Sequence, residues 1–99
     1  MRIISRKRLK EFWAAHPDAQ EPLESWYRVT KRAAWHHLAD TRREFPHADP
    51  VGTCTVFNIG GNKYRLITAI KYQKQRVYVL YVLTHQDYDK GKWKDDCNC

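Results

Sequence analysis

The stretch Thr53–Thr84, TCTVFNIGGNKYRLITAIKYQKQRVYVLYVLT, decides the fold. Thr53 to Ile59 is rich in β-branched and aromatic residues and reads as a strand. Gly60-Gly61-Asn62 tolerates positive φ, so a tight hairpin follows. Lys63 to Tyr72 forms the next strand. Its alternation puts Tyr64, Leu66, Thr68, Ile70 and Tyr72 on one face and Lys63, Arg65, Ile67, Ala69 and Lys71 on the other. A second turn near Gln73-Lys74 leads into Arg76–Thr84. That segment is almost continuously apolar, which predicts an internal strand covered on both sides. Counting pairs back from the second turn sets Arg65 opposite Leu83 or Thr84.

N-terminal to this hairpin pair the period changes to a helical one. Arg2–Ser5 reads as a short strand, and Ser5 has the chemistry of an N-cap. Arg6–Ala15 places Leu9, Phe12 and Trp13 on one helix face. His16-Pro17-Asp18 ends that helix, with Asp18 available to cap the next. Ala19–Lys31 presents Leu23, Trp26, Tyr27 and Thr30 as an inner stripe, with Pro22 confined to the first turn. A short third helix over His37–Phe45 carries Leu38, Thr41 and Phe45, and Pro46 stops it. HADPVG, residues 47–52, reads as a loop. After Thr84, a helical turn over His85–Asp89 is expected, capped by Thr84. The order β-α-α-α-β-β-β is that of an α+β domain, its N-terminal helices packed on one face of a small, mainly antiparallel sheet. The domain is expected to span residues 1–94, with residues 95–99 a flexible tail.

Bulk composition narrows the function. The chain has 99 residues, 42% of them hydrophobic, which suits one compact core. Its net charge of +7, from 18 basic and 11 acidic residues, favours phosphate polymers or an acidic partner protein. No segment is apolar enough to span a membrane, and no apolar signal stretch follows the charged N-terminus. The cysteines, Cys54, Cys97 and Cys99, are odd in number and do not read as a secreted disulfide framework, so the cytoplasm is the expected compartment. Cys54 is expected to be a small buried or half-buried residue rather than a nucleophile. The CNC spacing at Cys97–Cys99 and the diverging His36-His37 pair give no metal-ligand set. Neither GxGxxG nor GxxxxGK[ST] occurs, so no cofactor is expected.

Two places carry candidate chemistry. Arg65 lies at the margin of a strand face that turns apolar, where a guanidinium can grip a phosphate with two parallel hydrogen bonds. THQDYDK, residues 84–90, follows the apolar strand and contains His85, which suits proton transfer, and Tyr88. The antiparallel register brings the two places together, so Arg65, His85 and Tyr88 are expected around one pocket. RNA cleavage fits this set without a metal. The RNA's own 2′-OH attacks the adjacent phosphorus, Arg65 stabilises the developing charge, His85 transfers a proton, and Tyr88 stacks on or orients a base or phosphate. Lys63, Lys90 and Arg76 are candidates to hold the substrate. A non-catalytic RNA-binding module is the alternative, with Trp35 and Trp93 as exposed stacking residues. A regulatory partner protein that has kept the fold without activity is a third.

MRIIS at residues 1–5, EFP at 44–46, VFNIGGNKYRLI at 56–67 and VLTHQDYDK at 82–90 together resemble the HigB-type toxins of bacterial toxin–antitoxin systems, within the RelE-like group of mRNA interferases. The resemblance implies a RelE-like fold and cleavage of mRNA, usually on the translating ribosome and independent of metal. It also implies neutralisation by a helix-turn-helix antitoxin, with operator DNA bound through the antitoxin complex. Arg65 in YRL matches the group's transition-state arginine. His85 and Tyr88 fall where the group has a basic or His residue followed by Tyr. The basic N-terminal face (Arg2, Arg6, Lys7, Arg8, Lys10) is then available to ribosomal RNA or to an acidic antitoxin segment.

Overall fold

A computed structural model describes residues 1–99. The elements run β1 (Arg2–Ile4), α1 (Arg6–Ala15), a 3₁₀ turn (Pro17–Ala19), α2 (Gln20–Arg32), α3 (Leu38–Glu44), β2 (Asp49–Val51), β3 (Cys54–Ile59), β4 (Tyr64–Lys71), a 3₁₀ turn (Tyr72–Lys74), β5 (Arg76–Thr84), α4 (His85–Lys90) and a 3₁₀ segment (Lys92–Cys97). The five strands form one sheet in the order β1-β5-β4-β3-β2. β1 runs parallel to β5, and all other pairs are antiparallel. This is the expected α+β architecture, with the N-terminal helices on a mainly antiparallel sheet.

The register follows from the two turns. Arg65 pairs with Leu83 in β5 and with Asn58 in β3. A bulge between Ile67 and Thr68 inserts Leu80 and flips the facing of the rest of β5. Without the bulge, Val77 and Val82 would point to opposite faces. With it, both pack on the helix side.

The two faces of the sheet bury different sets. Under α1 and α2 lie Leu9, Leu23, Trp26, Trp35, Phe57, Ile59, Leu66, Val77 and Val79. On the other face, Cys54, Val56 and Ile67 pack with Trp93 and Cys97 of the C-terminal segment. The expectation that helices cover one face is therefore incomplete, because the chain's last turns cover part of the second. β5 is internal, flanked by β1 and β4, yet only Val77 and Val79 along it are buried.

Several local expectations are corrected. The HADPVG loop contains β2, a three-residue edge strand on β3. An edge position tolerates Pro50, which need not donate to the ladder. Ser5 and Asp18 cap no helix with their side chains. Trp35 and Trp93, expected to be exposed, are each only 2% exposed. Trp35 packs on Phe45 and Phe57, and Trp93 stacks on Tyr88. The packed chain does not end at Lys94. Cys97 is buried and disulfide-bonded to Cys54, and its carbonyl accepts from the Thr53 amide at 2.8 Å. The odd cysteine, Cys99, is exposed. No helix is long and apolar enough to cross a membrane.

Candidate active site

Arg65 leaves β4 two residues after the hairpin, on the face opposite α1 and α2. Its Nη1 donates to the carbonyls of Asn62 and Tyr64, each at 3.1 Å, so the turn orients the guanidinium. No acidic side chain pairs with it, which leaves the cation available to an anion. The guanidinium carbon lies 5.4 Å from the centre of the Tyr88 ring, a favourable cation–π separation.

Tyr88 is positioned from three directions. Thr84 caps α4 by accepting from the Asp87 amide at 3.2 Å, the expected cap. Gly91 ends the helix in the left-handed conformation. Trp93 stacks on the Tyr88 ring at 4.9 Å with planes 12° apart, and its indole N–H donates to the Tyr88 carbonyl at 2.9 Å. Desolvation raises the Tyr88 phenol above its ordinary value, and nearby Asp49 adds to the shift. The hydroxyl therefore stays protonated at neutral pH.

Arg65 and Tyr88 line a cavity of about 360 Å³ with Arg42, Pro46, His47, Ala48, Asp49, Val56 and Asn58. Arg42 at the end of α3 is steadied by its Nε, which donates to the Ala48 carbonyl at 3.0 Å. The wall is polar and carries both signs of charge, which suits a phosphodiester better than an apolar ligand.

Not all of the expected site assembles here. His85, the first residue of α4, is exposed and does not line this cavity. Its Nδ1 meets Asp89 Oδ2 at 3.1 Å, one turn along the same helix. Lys63 turns to the helix side, where its Nζ donates to Asp18 Oδ2 at 2.8 Å while the Tyr64 hydroxyl donates to Oδ1 at 2.6 Å. Hydrogen bonds from Lys63 and then Tyr64 hold the Asp18 carboxyl below its ordinary value. Lys90 pairs with Asp87 at 3.5 Å and borders a neighbouring depression with Leu83 and Trp93. Arg76 sits at the opposite end of β5 from Leu83, paired with Lys71 and Arg2.

Of the basic N-terminal residues, Arg6, Lys7 and Arg8 divide between two surfaces, and Arg2 and Lys10 line neither. Lys7 and Arg8 line a groove with Tyr81 and Val82. Arg6 stands over Tyr27 at 5.0 Å and shares a second groove with Arg28, Lys31 and Arg32. The cavity residues missed from sequence are Arg42, in the last turn of α3, and His47 and Asp49, in the segment read as a loop. The signal for the latter two was the strand hidden in that segment.

A family model described as the HigB toxin, the RelE-like toxic component of a toxin–antitoxin system, matches residues 19–91. The chain is 31% identical over 93 residues to an mRNA interferase HigB of Escherichia coli O6:H1 (strain CFT073), covering 91% of this chain and 90% of the relative. It is 26% identical over 92 residues to the mRNA interferase toxin HigB of Escherichia coli K12, covering 90% and 88%. The matched span includes the arginine-bearing hairpin and all of α4, so the chain belongs to the HigB family of RelE-like toxins.

Proposed function

We propose that this protein is an mRNA interferase, a toxin that cuts mRNA by directing its 2′-hydroxyl at the adjacent phosphorus and that a cognate antitoxin neutralises. The observation that carries the reading is the Arg65 guanidinium, oriented by two carbonyls, free of any acidic side chain, and set against the Tyr88 ring at the mouth of a polar cavity. A guanidinium so held meets the extra negative charge of a pentacoordinate phosphorane without first reorganising. Tyr88, kept protonated, can donate to a phosphate or to the departing 5′ oxygen. The products are a 2′,3′-cyclic phosphate and a 5′-hydroxyl.

The cavity opens to solvent, and the residues lining it do not by themselves bend an RNA into line for attack. Presentation of the strand by a translating ribosome supplies that alignment. The grooves lined by Arg6, Lys7 and Arg8 offer cations for ribosomal RNA or for an acidic antitoxin segment. A helix-turn-helix antitoxin would carry the operator-DNA contact.

The test is the chemistry of the ends. mRNA cut by the purified protein on programmed ribosomes should carry 2′,3′-cyclic phosphate and 5′-hydroxyl termini. A message with deoxyribose at the cut position should resist. Ends bearing a 3′-hydroxyl, or cleavage of the deoxy message, would refute the 2′-hydroxyl mechanism.

A further inference from the structure

RNA cleavage by this route needs a group to take the 2′-hydroxyl proton, and His85 does not face the cavity. β2 pairs with β3 through Asp49↔Val56, and β3 pairs with β4 through Asn58↔Arg65. His47 lies in the turn that leads into β2, two residues before Asp49. His47, Asn58 and Arg65 all line the same cavity. That cavity, about 360 Å³ in volume, accommodates a phosphodiester between an imidazole and a guanidinium.

The backbone around His47 is fixed on both sides. Phe45 packs on Trp35 and Phe57. The Ala48 amide donates to the Phe45 carbonyl at 2.9 Å, the Ala48 carbonyl accepts from Arg42, and Ala48 is buried. His47 itself is exposed to the cavity side of this anchored turn. It is the only imidazole lining the cavity. Imidazole is the side-chain type that both takes and gives protons near neutral pH.

We infer that His47 is the general base of the cleavage reaction, acting in the cavity it shares with Arg65. This rests on the ribonuclease reading above and deepens it. The imidazole takes the proton from the 2′-hydroxyl as the O2′–P bond forms. The P–O5′ bond breaks, and the 5′ oxygen receives a proton from the Tyr88 phenol. Water then removes the proton from His47 and restores the one on Tyr88. The charged and titratable groups facing His47 are Arg42 of α3, Asp49 of β2, Arg65 of β4 and Tyr88 of α4.

The test is single-turnover cleavage of a defined mRNA on programmed ribosomes, at saturating toxin, across the pH range the ribosome tolerates. His47→Gln should lower the cleavage rate constant by about 100-fold or more, with the half-saturating toxin concentration unchanged. The wild-type rate should rise with pH through one deprotonation, and the variant should lose that limb. His85→Ala should cleave like the wild type. Wild-type cleavage by His47→Gln, or an unchanged pH limb in it, would overturn the assignment. So would a large loss confined to His85→Ala. Arg65→Ala serves as the control for the site. If it cleaves normally, the ribonuclease site itself is misplaced, which is a different failure from that of His47.

Discussion

Arg65 is the residue on which the site turns, and its local geometry explains why. Two hairpin carbonyls hold its Nη1, and its guanidinium carbon lies over the Tyr88 ring. Removing it takes away a preorganised cation, so Arg65→Ala should slow cleavage by about 10²–10³-fold. Arg65→Lys should not restore the rate, because an ammonium cannot bind a phosphate through two parallel donors or stack as a plane. Single-turnover rates of the two variants check both statements. The Asp18 cluster has a separate, structural role with a defined pH signature. Asp18 is depressed below its ordinary 3.8 by hydrogen bonds from Lys63 and Tyr64. Lys63 and Tyr64 are raised above 10.5 and 10.0 by their bonds to Asp18. A depressed carboxyl stabilises the fold above its unfolded value and loses that contribution as pH falls through the folded one. The raised Lys and Tyr stabilise below their unfolded values and lose that contribution as pH rises through the folded ones. The cluster therefore acts between about pH 4 and pH 10. Asp18→Asn should lower the melting temperature slightly inside that window, since the exposed pair is screened by solvent, and by less at acid pH below it. An equal loss inside the window and below it would contradict this account.

At the scale of elements, α4 and β2 place the groups of the site. Thr84 ends β5 and caps α4 at once, so the strand's end sets the helix that carries Tyr88. Thr84→Ala should cost about 1 kcal/mol of stability, read from denaturant unfolding, and should also lower cleavage by loosening Tyr88. The turn between β2 and β3 is tighter still. Gly52 has φ +58°, and a Cβ there would lie 1.9 Å from the Cys97 carbonyl oxygen. Gly52→Ala should destabilise by about 2 kcal/mol or more, from left-handed strain together with the displaced carbonyl. What could be read from sequence follows the same division. The β3–β4–β5 register was legible because turn glycines and strict alternation specify it, so Arg65↔Leu83 falls where counting put it. β2 was not legible, since Asp49 and Pro50 have no intrinsic strand tendency and the strand exists only by pairing with β3. His47 and Asp49 were missed with it. The facing of Lys63 was missed because alternation starts at Tyr64, and the turn leaves Lys63 free to reach Asp18.

The whole molecule is a sheet covered unequally on its two faces. Helices α1 and α2 bury the larger core, while the second face has only α4 and the last 3₁₀ turns above it. The Cys54–Cys97 disulfide closes a separation of 43 residues and ties this cover to β3. The Tyr81 hydroxyl, bonded to Asp96, ties it to β5. On loop length alone the disulfide is worth roughly 4 kcal/mol. Cys97→Ser should lower the melting temperature and expose Trp93 to solvent, seen as a red shift of its fluorescence, and the unmutated protein under reductant should match it. An unchanged melting temperature would mean that the C-terminal cover adds nothing to the fold. Pairing of Cys54 and Cys97 was invisible in the sequence because cysteine spacing carries no information about which residues the sheet brings together. The toxin reading, by contrast, was visible from motifs along most of the chain, and the family match over residues 19–91 bears out the membership.

The central claim is that Arg65 belongs to a site that cuts mRNA. Its most direct test is to induce the protein in cells and map new 5′ ends on cellular transcripts, beside an equally expressed Arg65→Ala variant. The account predicts new ends inside translated frames with the wild type and none with the variant. No new ends from soluble, folded wild-type protein, or the same ends from the variant, would contradict it.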